Sequence, residues 1–136
     1  MVAATVAVCI EAPSHIVRRT VASDAAIPKG TLLQLSSSIN TVTASDGDAQ
    51  VFGGIAVEEK VAAETDVLSI GVALDGVFDI STTAAAITVG QMVNIGGANQ
   101  VVAAADADFE AGTVVGKAEE TRSDATDRIR VRLVGL

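Results

Sequence analysis

The chain of 136 residues contains no tryptophan, no tyrosine and only three phenylalanines. It therefore has no aromatic platform on which single-stranded nucleic acid could stack its bases. Its one cysteine excludes an internal disulfide. Its one histidine, His15, has no nucleophile near it in sequence, and no G-x-S-x-G elbow is present. With a single His and a single Cys, a zinc site would have to be built mostly from carboxylates, an unusual donor set. Gly53-Gly54 and Gly96-Gly97 lack the lysine and following helix of a phosphate loop. Cations are scarce, 9 Lys and Arg against 17 Asp and Glu. A net charge of −8 argues against nucleic acid as the main partner, because phosphate binding needs a basic footprint. Met1–Ile10 is apolar but lacks a basic start and is too short to span a bilayer. The expectation is a protein made in a cytoplasm, with no membrane partner, no cofactor, no metal and no catalytic residues.

What remains is a chain rich in Ala, Val, Ile, Leu, Thr and Gly. This composition suits strands joined by frequent turns. The clearest stretch is Val67–Ile80. Leu68, Ile70, Val72, Leu74, Phe78 and Ile80 fall on even positions, and smaller or polar residues fall mostly between them. That period of two marks a strand. Asp75-Gly76 suits a tight hairpin turn. A two-residue turn, however, would pair Val72 with Asp79 and Ala73 with Phe78, mixing core and solvent residues on each face. The parity favours a strand that runs through, bent or bulged at Gly76.

Further strands are expected at residues 1–13 (ended by Pro13), around Arg18-Arg19, and at 31–35, 41–43, 51–57, 91–95, 100–104, 112–118 and 128–134. Cys9, within the first of these, is expected to be a buried, inert thiol. No segment holds a helical period. The fold class is all-β: one compact domain, a barrel or a sandwich. Residues 1–26 form an N-terminal strand or arm segment, and residues 27–136 the barrel-like domain.

The two halves, about 27–76 and 87–136, resemble each other at an offset of about 60 residues. Ile27-x-x-Gly30 matches Ile87-x-x-Gly90, and Gly54-x-Ala56 matches Gly116-x-Ala118. Glu59 matches Glu120, and Leu68, Ile70 and Val72 fall on Ile129, Val131 and Leu133. The residues between the last group change to Arg128, Arg130 and Arg132. An unchanged inward phase with a changed outer face is what a duplicated packing unit produces.

Charge is unevenly spread: +1 over residues 1–39, −12 over 40–127 and +3 over 128–136. Arg128, Arg130 and Arg132 project from one strand face about 7 Å apart. Like charges in a row call for an acidic counterpart, either the protein's own acidic loops or a neighbouring subunit. The three arginines are thus candidate subunit contacts. Two acidic clusters, Asp46/Asp48 and Asp106/Asp108/Glu110, could attract a hard cation, but neither completes a calcium-loop pattern.

GVALDGVFDI, then ITVGQMVNI with a short turn, then VVGKA and the closing strand RIRVRL together resemble the small phage proteins described as capsid decoration, cement or head-stabilising proteins. The similarity runs over Ile27–Leu136 and is most specific at Gly71–Ile95. It implies a β-barrel-like or β-tulip-like domain and no enzyme activity. It also implies a homo-oligomer, foremost a trimer with a dimer as the alternative. The place it implies is the outer surface of an icosahedral head, bridging subunits of the major capsid protein. On that footing Val2, Val6, Val8, Ile10, Arg18 and Arg19 are the candidate capsid contacts, the first four on a segment that can add a strand to a sheet edge. The rival readings are a tail or receptor-binding β-module of the virion, and a cation-binding β-domain.

Overall fold

The structure is a computed structural model that describes residues 6–47, 50–82, 86–104, 113–122 and 128–134. Among these residues it is all strand, turn and bend. The eleven strands are β1 (Val8–Glu11), β2 (Ile16–Thr20), β3 (Leu32–Leu35), β4 (Val42–Ala44), β5 (Phe52–Ala56), β6 (Ser69–Ala73), β7 (Val77–Thr82), β8 (Met92–Gly97), β9 (Gln100–Ala103), β10 (Val114–Ala118) and β11 (Arg128–Leu133).

They form two sheets, ordered β2-β6-β5-β3-β4 and β1-β7-β11-β10-β8-β9. Without β1, the second order repeats the first strand for strand, β2 corresponding to β7 and β4 to β9. A parallel pairing of Ser81 and Thr82 with Gln100 and Val101 closes β7 onto β9, which makes the second unit a five-stranded barrel. A single parallel bridge, Thr20 to Thr41, takes the same place in the first unit.

The repeat extends to fine detail. Leu33 opposes Gly54 and Gln34 opposes Phe52; Val93 opposes Gly116 and Asn94 opposes Val114. Each pair of strands thus carries a bulge at the equivalent point, which sharpens the twist needed for closure. Ile27 exchanges backbone hydrogen bonds with Lys60, and Ile87 does so with Arg122. Gly30 and Gly90 adopt φ of 91° and 88°, and each donates its N–H to the corresponding strand end, Ala56 or Ala118.

The structure corrects the repeat at two points. Glu58, not Glu59, is the counterpart of Glu120: their carboxylates accept the backbone N–H of Gly71 and of Arg130 respectively. Val72 then corresponds to Val131 and Ile70 to Ile129, since Ala56 opposes Val72 where Ala118 opposes Val131. The sequence alignment of this strand is off by one pleat repeat. Such a slip leaves inward and outward faces unchanged and is invisible to periodicity.

Val67–Ile80 does run through, as its parity favours. β6 lies in the first sheet and β7 in the second, with the bend at Gly76, whose φ is 99°. A Cβ there would meet the Glu11 carbonyl at 2.9 Å, so glycine lets two chain segments cross closely. β1 and β2 follow this bent ribbon along its length: β2 pairs β6 and β1 pairs β7. The corner is pinned by the Asp75 carboxylate, which accepts the backbone N–H groups of Ser14 and His15, both at 2.9 Å, and the Ser14 hydroxyl. These bonds, the Ser14 hydroxyl first, hold the Asp75 carboxyl below its ordinary range.

Two apolar cores result. Val21, Ile27, Leu33, Val42, Ala56, Ile70 and Val72 fill the first barrel. The second core includes Ile80, Val93, Ile95, Val115, Ile129 and Val131, and extends to Leu32, Ile55 and Ala73 from the first sheet. β6 therefore feeds a core on each face. For this reason Ala73 is fully buried, although the alternation in sequence leaves its face freer. Leu68, in phase with the core residues, is 56% exposed because β6 begins only at Ser69.

Candidate functional site

Each sequence-derived contact residue has a defined setting except Val2, which lies outside the described residues. β1 is an exposed edge strand, with Val8 53% and Ile10 43% accessible. It pairs with the chain's own β7, so this part of the N-terminal segment is a strand of its own sheet. Cys9 is exposed rather than buried, because β1 is at the sheet edge. Val6 is half-buried. Its carbonyl accepts a 2.7 Å hydrogen bond from Arg128.

The two candidate surfaces, the N-terminal segment and the arginine strand, therefore meet. Arg128 reaches Val6 and also donates to the Asp79 carbonyl at 2.6 Å and the Asp79 carboxylate at 3.2 Å. Arg132 lies between Glu119 at 2.8 Å and Glu11 of β1 at 3.3 Å. Glu119 in particular raises the Arg132 pKa further above its already high value. These arginines reach across β7 and strap β1 to the second barrel. Their counterparts, Glu11, Asp79 and Glu119, are spread along the chain, and only Glu119, next to Glu120, lies in an acidic pair. Arg130 is different. Its side chain is exposed and makes no hydrogen bond or ion pair with a described residue.

On β2, Arg18 pairs with Glu58 at 2.8 Å and donates to the Ser69 carbonyl at 2.9 Å. Arg19 donates to the Asn40 side chain at 2.9 Å, while its buried Nε meets no partner. Ile16, which sequence reasoning did not single out, is 53% exposed on the same strand. A largely apolar groove of about 210 Å³ separates β1 from β2. Cys9, Pro13, Ile16, Lys29, Val57 and Phe78 line it. Exposed apolar side chains bordered by cations suit a protein contact.

His15 is exposed at the corner. Asp46 is exposed, and Asp48, Asp106, Asp108 and Glu110 lie outside the described residues. Among the described residues no three metal-ligating side chains come together. No described helix is long and apolar enough to cross a membrane.

Residues 68–133, which hold β6 to β11, match the family model described as phage cement protein. The chain is similar in fold to the N base of the head fiber gp8.5 of bacteriophage phi29, with a TM-score of 0.56. That similarity covers 89% of this chain and 96% of the other at 16% identity, and at this identity the likeness is one of fold. No curated protein matches the chain in sequence. The motifs GVALDGVFDI, ITVGQMVNI and RIRVRL all fall within or across the matched span. Over residues 68–133, just under half of the chain, the protein is thus similar to the phage cement proteins, a capsid decoration family of structural virion proteins.

Proposed function

We propose that the protein decorates the outer surface of the head of a tailed phage and stabilises it by bridging major capsid protein subunits, without enzyme activity. The cement-family match over residues 68–133 carries this reading. The head fiber base with a similar fold agrees with a place on the head. The protein is made in the host bacterial cytoplasm and assembles as a homo-oligomer, foremost a trimer. Repetition over a shell turns modest individual contacts into a durable attachment.

The capsid-facing surface is β1 with Val6, Val8 and Ile10, together with Arg18 and Arg19 on β2; Val2, outside the described residues, is a further candidate contact. Arg130 leads the subunit contact. Arg128 and Arg132 support it from either side while holding β1 in place. The tests are co-sedimentation with expanded capsids and sedimentation velocity. V8E/I10E should abolish capsid occupancy with the far-UV circular dichroism spectrum unchanged, since both side chains are already in water. R130E should shift the free protein towards monomer. Full occupancy by V8E/I10E sinks the assignment of β1, and an unchanged mass for R130E sinks that of Arg130.

A further inference from the structure

The internal repeat exposes an asymmetry. β7 has both edges covered: β11 on one side, and β1 and β9 sharing the other. β2, its counterpart in the first barrel, has β6 on one side. On the other side it has only the bridge at Thr20. Thr20 N–H donates to the Asn40 carbonyl, and the Arg18 carbonyl accepts from the Asn40 side chain, so even-numbered residues of β2 turn their backbone outward. Val21 N–H to Leu68 and the His15 carbonyl to Leu74 show odd-numbered residues facing β6. The N–H groups of Ile16 and Arg18 and the carbonyl of Ile16 thus point along an open edge. Among the described residues none of them has a partner. This is the stretch equivalent to Val77–Asp79, which β1 covers in the second barrel.

We propose that the outer edge of β2 at Ile16–Arg18 receives an extended strand from another protein, as β7 receives β1. An unpaired row of backbone groups is a template for such addition. The chemistry of the incoming strand follows from its surroundings. The apolar groove beside Ile16, floored by Val57 and Phe78, takes an aliphatic side chain. Arg18, Arg19 and Lys29 outnumber the nearby acids, Glu58 and Asp75, and call for a carboxylate. β1 itself presents this combination, Val8 and Ile10 followed by Glu11. A second copy pairing β2 with β2 about a two-fold axis would bring two sets of cations, Arg18, Arg19 and Lys29, to one seam, which disfavours that occupant. The donor is an extended segment of a different protein that carries an aliphatic side chain beside a carboxylate, and the assignment goes beyond the phage-head reading, since it holds whether or not that protein is a capsid subunit.

The probe is a fluorescent peptide copying residues 6–12 with Cys9→Ser, titrated into the full chain and followed by anisotropy and amide chemical shifts. Saturable binding with shifts at Ile16–Arg18 is expected. R18P removes the outward N–H without touching the ladder to β6, a change that edge strands tolerate. It should weaken binding at least about tenfold, the equivalent of one or two hydrogen bonds. R18A keeps the N–H and should lose less. If R18P does not fold, the wild-type chain is titrated with peptides N-methylated at alternate positions. Only the methyls that face β2 should then abolish binding. No binding, equal binding by wild type and R18P, or shifts at Val77–Asp79 instead would overturn the proposal. So would a self-associated chain that R18P converts to monomer, since a second copy would then be the occupant.

Discussion

Lys60 and Arg122 occupy equivalent bridge positions, yet only Lys60 is wholly buried. Its ammonium is held by the carbonyls of Ser23 at 2.8 Å and Ala25 at 3.1 Å. A buried cation is tolerated only with such partners. K60M keeps the volume but strips hydrogen bonds from both carbonyls. It should cost about 1.5–3 kcal/mol, whereas R122M at a half-exposed site should cost about 0.5–1.5 kcal/mol; urea unfolding measures both. Asp75 gives a pH signature. Its carboxyl pKa is lowered in the folded protein, chiefly by the Ser14 hydroxyl and then by the His15 N–H. The native state therefore prefers the ionised form. The resulting stability is present above the ordinary carboxylate pKa and is lost as pH falls through the lowered folded value. Wild type should exceed D75N in stability above about pH 4, and the gap should close on further acidification. A gap that does not change with pH would contradict this account of the corner.

At the scale of elements, the turn glycines of the two halves test the repeat. Gly30 and Gly90 share a positive φ, but their surroundings differ: a Cβ on Gly90 meets nothing within 4 Å, while one on Gly30 runs into the Ala7 carbonyl. G90A should cost about 1–2 kcal/mol, the backbone strain alone. G30A should cost more and should also loosen the Ala7 link at the start of β1; thermal melts and amide exchange of Ala7 read the two effects. Much of this architecture was legible beforehand. The parity of Val67–Ile80 favoured a strand that runs through over a hairpin, which would mix large and polar residues on each face, and Gly30 and Gly90 marked the duplicated turn. The remainder was hidden for physical reasons. A slip of one pleat repeat preserves every face, so the matching of Val72 to Val131 needed the ladder itself. A lone free thiol ordinarily lies buried, and only the position of β1 at an edge exposes Cys9. The burial of Lys60 depends on carbonyls of Ser23 and Ala25, far away in sequence. Of the candidate site, the arginine face was legible. Its counterparts Glu11, Asp79 and Glu119 were not, because ion pairs across strands leave no local pattern.

At the scale of the molecule, two barrels share one bent ribbon, β1–β2 along β6–β7. The larger core draws Leu32, Ile55 and Ala73 from the first sheet. Neither unit can open without exposing residues of the other, so calorimetry should show one cooperative unfolding transition whose van't Hoff and calorimetric enthalpies agree. Two resolved transitions would mean that the barrels are independent. The acidic middle keeps such a molecule soluble, and the exposed apolar and basic groups on β1 and β2 concentrate the surface available for a partner. The central claim is that this surface serves a phage head. Cryo-electron microscopy of the assembled particle is the most direct measurement. The account predicts density for the protein on the outside of the capsid, at lattice-defined positions that touch more than one major capsid subunit, with β1 and β2 facing the shell. Density confined to the tail, or capsid contact made by the opposite face of the molecule, would contradict it.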